Sequence, residues 1–176
     1  MKLSEGAITK TLWSKYGVGQ WACANIYHYA FESDLLILRN SGTVVEYEVK
    51  LSVQDWNAGL KKRQFINKYN SNRRKNQTLF TEKPMSRHEY LTADLGANMF
   101  YYVAPQEVLE KVEIPPWAGV IEAYTNTHAD SCGIMLVKKA SSLHKDTPAA
   151  DLKEKIMISA YYKYWKHFSV KDINPK

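Results

Sequence analysis

Residues 31–51, FESDLLILRNSGTVVEYEVKL, constrain the fold more than any other stretch of the chain. Residues 35–38 form a short apolar run, Asn40-Ser41-Gly42 supplies turn residues, and residues 43–51 then alternate apolar and polar side chains. The pattern predicts a β-hairpin. Successive side chains on a strand point to opposite faces, so Glu46, Glu48 and Lys50 are expected on one face and Val45, Tyr47, Val49 and Leu51 on the other. If one face packs on a core, the charged face needs water, a counter-charge or a cation, and Lys50 can neutralise only one of the two glutamates. A turn at 40–42 also carries Asp34 roughly opposite the end of the second strand, near Glu48 and Lys50. Carboxylates gathered in this way are hard oxygen ligands, suited to Mg²⁺ or Mn²⁺ rather than to zinc.

Asp34, thirteen intervening residues and then Glu48-Val49-Lys50 resemble the core signature of the PD-(D/E)XK nuclease superfamily, with Ser33 standing in the place of its proline. The run EYEVKLSVQDW, the basic segment after it, and then FYYVAP and IPPWAGVIEAY resemble the DNA-repair-associated, MmcB-like branch encoded by bacteria and phages. The likeness covers roughly residues 5–140. It implies an α/β fold with a restriction-endonuclease-like α-β-β-β-α-β core, a central mixed sheet flanked by helices. It also implies metal-dependent hydrolysis of DNA phosphodiester bonds in repair, recombination or phage DNA processing. In that setting Asp34, Glu48 and the backbone carbonyl of Val49 hold Mg²⁺ or Mn²⁺. Lys50 orients the attacking water or helps to deprotonate it, a role suited to a desolvated lysine with a lowered pKa. Glu46 is a further candidate ligand, and reads equally well as a solvent-facing acid paired with Lys50 or a neighbouring strand. Glu5 is another, because some superfamily members use a glutamate of the first helix; it also reads as a surface acid complementing the helix dipole. Restriction-type and junction-resolving relatives commonly act as homodimers, although no surface legible in this sequence announces one.

With 176 residues, 45% of them apolar, the chain fits one domain spanning residues 1–176. Cys23 and Cys132 are far apart and form no CxxC pair, so neither a disulfide framework nor a structural zinc site is indicated, and a reducing cytoplasm is the expected setting. No signal peptide or membrane-spanning run is seen, so no membrane partner is expected. The net charge of +6 is concentrated. From Trp56 to Thr81 there is no acidic residue, and Lys61, Lys62, Arg63, Lys68, Arg73, Arg74 and Lys75 give this segment +7. A charge run by itself is a solvated face; one leaving directly from a carboxylate cluster is what binding of DNA phosphates requires.

In chain order, Ser4 is expected to cap a helix over about residues 5–16, closed by Gly17 and Gly19, and residues 20–31 to form a long strand with Tyr27, Tyr29 and Phe31 on one face. Ser52-Val53-Gln54-Asp55 has the form of a capping box opening a helix with the apolar stripe Val53, Trp56, Leu60, Ile66 and Tyr69. Residues 70–77 have loop composition, and residues 82–97 read as irregular, with nothing to position Arg87 and His88. Strands are expected at 99–104, 117–124 and 134–139, with a short helix at 106–111 and a C-terminal helix at about 147–168 that packs on the sheet or on another subunit. His128 and Asp130 read as loop surface. Two other functional classes fit the same residues: a catalytically silent nuclease-like DNA-binding module, and an interaction protein acting on a host factor.

Overall fold

The computed structural model describes residues 3–27, 30–65, 67–70, 77–80, 83–126, 131–146 and 151–167. Ser4 caps α1 (Glu5–Leu12), its hydroxyl accepting from the Ala7 N–H, and Ile8 and Leu12 are buried on the inner side of the helix. A π-helical turn, Trp13–Gly17, leads through Gly19 into β1 (Trp21–Ile26). The hairpin is then formed by β2 (Ser33–Leu38) and β3 (Val44–Val49), with Leu35 opposite Tyr47, Leu36 opposite Glu46 and Ile37 opposite Val45. Its turn is closed by the Arg39 N–H donating to the Thr43 carbonyl at 2.9 Å, and Gly42 takes the left-handed conformation (φ 84°) that a side chain would resist. After α2 (Val53–Lys61) come two short strands, β4 (Arg63–Gln64) and β5 (Asn67–Asn70), then β6 (Gln77–Phe80), β7 (Met85–Ser86) and α3 (Arg87–Thr92). The chain continues through β8 (Met99–Ala104), α4 (Gln106–Leu109), β9 (Gly119–Asn126), β10 (Ser131–Lys138) and α5 (Leu152–His167).

The central sheet runs β1-β2-β3-β8-β9-β10 and is mixed: β3, β8 and β9 are parallel to one another, and the other neighbours are antiparallel. The fold is therefore the expected α/β sheet flanked by helices, in the order α-β-β-β-α before β8 takes its place beside β3. On one face, Ile8 and Leu12 of α1 pack with Leu35, Ile37, Val45, Tyr47, Val49 and Val103. On the other face, Leu152 and Ile156 of α5 cover Cys23, Leu36, Leu38 and Val44, while Trp56 and Leu91 cover Phe100, Tyr102 and Ala104. The charged positions of β3 lie on this second face, beside both apolar clusters.

Several elements depart from their expected bounds. The helix after Ser52 ends at Lys61 instead of continuing to Tyr69. Lys62 is extended (ψ 123°), and the β-favouring residues that follow pair with later segments: β4 with β7 and β5 with β6. The basic segment is thus a short helix followed by an inserted hairpin. β1 stops at Ile26, with Tyr27 exposed and Phe31 buried; Tyr29 lies outside the described residues. Residues 83–97, expected to be irregular, contain β7 and α3. The C-terminal helix is seen from Leu152 and packs on β1; residues 147–150, where its start is expected from Thr147 as cap and Pro148 at the first helical position, lie outside the described residues, as do His128 and Asp130. Among the described residues no helix is long and apolar enough to cross a membrane.

Candidate functional site

The hairpin register that puts Leu35 opposite Tyr47 carries Asp34 to the level of Glu48, on the same face of the sheet. The Val49 N–H donates to Asp34 Oδ2 at 2.6 Å, which anchors this carboxylate at the exit of β3. Lys50 continues the strand for one residue, its N–H donating to the Val103 carbonyl, so Glu46, Glu48 and Lys50 do share one face, and all three are buried. Lys50 Nζ lies 3.0 Å from Glu48 Oε1 and 3.4 Å from Asp55 Oδ1. Asp55 completes only half of a capping box: its N–H donates to the Ser52 hydroxyl, while its own carboxylate accepts from the Leu51 N–H and faces Lys50. Glu5, exposed in the first turn of α1, is near enough to act electrostatically on Asp34.

A second cation enters from α3. Arg87 Nη1 donates to Glu46 Oε1 at 2.8 Å and to Glu48 Oε2 at 2.5 Å, while Nη2 donates to the Glu32 carbonyl. The guanidinium also faces the rings of Phe31 and Phe100 at 5.3 and 5.8 Å. Arg87 is held there by a complete capping box: the Glu89 N–H donates to the Ser86 hydroxyl and the Ser86 N–H donates to the Glu89 carboxylate at 2.6 Å. This signal, Ser86-Arg87-His88-Glu89, is present in the sequence within a stretch whose composition otherwise reads as irregular. The next residue, His88, shares a 2.6 Å hydrogen bond with the Tyr102 hydroxyl and meets the edge of Trp117. A small pocket with about 30 Å³ of space for water opens between Glu48, Lys50, Trp56, Gly59, Arg87 and His88.

The electrostatics follow from burial and from an excess of acid. Burial pushes the Asp34 carboxyl up to about 7, the Glu48 charge adds to the rise, and the Val49 N–H and Lys50 only partly offset them. For Lys50, burial alone lowers the pKa, but Glu48, Asp55 and Asp34 outweigh it and the net shift is upward. The lowered lysine pKa expected from sequence is therefore not found: Lys50 is held as an ammonium ion, because its neighbours are anions. The His88 imidazole moves down, first through burial and then through Arg87.

Four carboxylates, on Asp34, Glu46, Glu48 and Asp55, face two cations, Lys50 and Arg87, and when all are ionised two negative charges are left over. Asp34 and Glu48, with the Val49 carbonyl as a further oxygen donor, are the residues that could hold a divalent cation to offset that surplus. Among the described residues no group of three or more His, Cys, Asp or Glu is disposed to hold a metal ion, and Glu46 is turned to Arg87.

Of the basic residues, Lys61, Lys62 and Arg63 are exposed at the end of α2, and Arg63 Nη1 donates to the Pro84 carbonyl and approaches Glu89 at 3.4 Å. Lys68 is in β5, and Arg73, Arg74 and Lys75 lie outside the described residues. The β4–β7 pairing, Arg63 with Ser86, ties the root of this basic insertion to the residue before Arg87.

No family model and no curated protein matches the chain. One solved structure is similar to it. This is the SPO1766 protein of unknown function from Silicibacter pomeroyi, with a TM-score of 0.56 and 14% sequence identity, covering 98% of this chain and 94% of that one. The likeness is one of fold.

Proposed function

We propose that the chain is a Mg²⁺- or Mn²⁺-dependent DNA nuclease of the PD-(D/E)XK type, acting in a reducing cytoplasm of a bacterial or phage-infected cell. The observation that carries this reading is the delivery of Asp34 and Glu48 to one face of the sheet, with Lys50 Nζ 3.0 Å from Glu48 and a surplus of negative charge around them. Asp34, Glu48 and the Val49 carbonyl would hold the cation, which when bound supplies Lewis-acid activation of water and of the scissile phosphate. Lys50, kept charged and oriented by Glu48 and Asp55, is suited to steering the attacking water and offsetting negative charge on the phosphate rather than to removing a proton. Trp56 and Tyr102, their ring centroids 4.1 Å apart and their planes tilted by 37°, wall one side of the pocket and keep its dielectric low. Lys61 and Lys62, together with Arg63 and the basic residues beyond it, supply sequence-independent attraction for the DNA backbone.

One observation favours a second reading. Both oxygens of Glu48 are already taken, one by Lys50 and one by Arg87, which is the closed arrangement that a silent DNA-binding module would have. A gel assay of purified protein with supercoiled, linear and single-stranded DNA, in Mg²⁺, Mn²⁺ and chelator, separates the readings. The nuclease cuts with metal and not with chelator, and loses activity in Asp34→Ala and Lys50→Ala with the fold intact. Salt-sensitive binding without cutting in any metal supports the module, and no binding to any nucleic acid moves the reading to a protein partner.

A further inference from the structure

The carboxylate best placed to share a cation with Asp34 is Glu48, and neither of its oxygens is free: Oε1 is 3.0 Å from Lys50 and Oε2 is 2.5 Å from Arg87. An incoming divalent ion competes with both for the charge and the lone pairs of this one carboxylate. The two cations differ in what each retains on letting go. Lys50 would give up its shorter ion pair and keep Asp55, 3.4 Å away and with a side chain 46% exposed. Arg87 would keep Glu46 at 2.8 Å, the Glu32 carbonyl and two aromatic faces, all in a buried setting. A buried charge costs least to move when its remaining partners still satisfy it, so Arg87 is the one that yields.

Building on the metal-site reading above, we infer that Arg87 is an exchangeable counter-ion. It occupies Glu48 when no divalent cation is bound, releases it when one arrives, and is held throughout by Glu46. Glu46 is then not a ligand of the ion but the anchor of the arginine, and the complete capping box at Ser86 and Glu89 keeps Arg87 over the site in both states. Arg87 is thus a positioning residue that sets which cations the site accepts and how tightly. Ions that cannot outcompete a guanidinium for Glu48 are excluded.

Titration of the purified full-length protein with Mn²⁺ alone, followed by calorimetry without DNA, tests this. Wild type is expected to bind through Asp34, with binding lost in Asp34→Asn. Arg87→Met is expected to tighten Mn²⁺ by about tenfold or more, because the competitor is gone. Lys50→Met, which removes the same charge from the same glutamate, should tighten it by clearly less. Arg87→Met leaves two acids buried with less compensation and can fail to fold, so Glu46→Gln/Arg87→Met is the second variant; it removes one acid with one base and should still bind more tightly than wild type. Equal tightening in Lys50→Met and Arg87→Met overturns the inference, since it shows a generic charge effect. Tightening in Arg87→Met that disappears in the double variant overturns the role given to Glu46. Asp34-dependent binding in wild type with no gain in either Arg87 variant sinks the inference and leaves the metal site standing. No Mn²⁺ bound by any form sinks both.

Discussion

Asp34 is where burial and charge act most visibly on a single group. Its carboxyl is pushed from 3.8 to about 7, first by burial and then by Glu48. An acid with a raised folded-state pKa is more protonated folded than unfolded, so its contribution to stability is fully present below the unfolded value and is lost as pH rises through the folded one. For Asp34 that window runs from about 4 to about 7. Linkage bounds the effect at about 4 kcal/mol, and partial solvent access reduces it to about 1–2 kcal/mol. In chelator, Asp34→Asn is therefore expected to melt above wild type at pH 8 and to lose most of that advantage at pH 5, because asparagine can still accept from the Val49 N–H and carries no charge. Thermal denaturation across this range checks it, and a difference that does not change with pH would contradict it. Mn²⁺ should raise the melting temperature of wild type and not of the variant.

At the scale of the element, α2 and α3 turn a charged strand face into a pocket. Gly59 of α2 passes over Lys50 so closely that an added Cβ would lie 3.0 Å from Nζ and 3.2 Å from Cε. Glycine is favoured here by the approach of the lysine and not by backbone conformation. Gly59→Val is expected to push the ammonium away from Glu48 and to lower the cleavage rate by about 10²-fold, the usual cost of misplacing a reacting group by about 1 Å. Its melting temperature should fall only slightly, since the displaced group is the end of a flexible side chain. A rate equal to wild type in supercoiled-DNA cleavage would mean that the position of Lys50 does not matter. The hairpin and the strand at residues 99–104 were legible from pattern alone, because apolar alternation and a proline stop leave few other structures open. The second half of the helix expected after Ser52 was not legible. Its residues 63–70 carry as much tendency to pair as to coil, and the partners that decided the matter, Met85-Ser86 and residues 77–80, are distant in sequence.

At the scale of the whole molecule, the acids Glu46 and Glu48 are buried with Lys50 and Arg87 on one face of the sheet, while Lys61, Lys62 and Arg63 stand exposed at the end of α2. An anionic polymer held by the outer cations can approach the inner acids only if these are neutralised, which is the electrostatic problem that a divalent cation or Arg87 solves. Lys61→Ala/Lys62→Ala is expected to weaken DNA binding similarly for all sequences and to reduce the slope of log K against log salt by up to about 2, with Mn²⁺ binding unchanged. Fluorescence anisotropy at several salt concentrations measures both, and an unchanged slope would remove these lysines from the interface.

The sequence by itself determined the hairpin and the sharing of one face by Glu46, Glu48 and Lys50, because side chains on a strand alternate with a period of two, and it brought Asp34 near Glu48 and Lys50; the exact level of Asp34 with Glu48 came with the folded register. Only the tertiary structure decided the protonation of the site and its second cation. Lys50 stays charged because three acids converge on it from β2, β3 and α2. Arg87 reaches Glu46 and Glu48 across about forty positions of chain because Leu91 of α3 packs with Trp56, Phe100 and Tyr102 and so holds the start of the helix beside the site. Strand periodicity is a local property that a run of residues carries with it. The field at a buried charge is the sum over every element that folds against it, and that sum exists only once they have met.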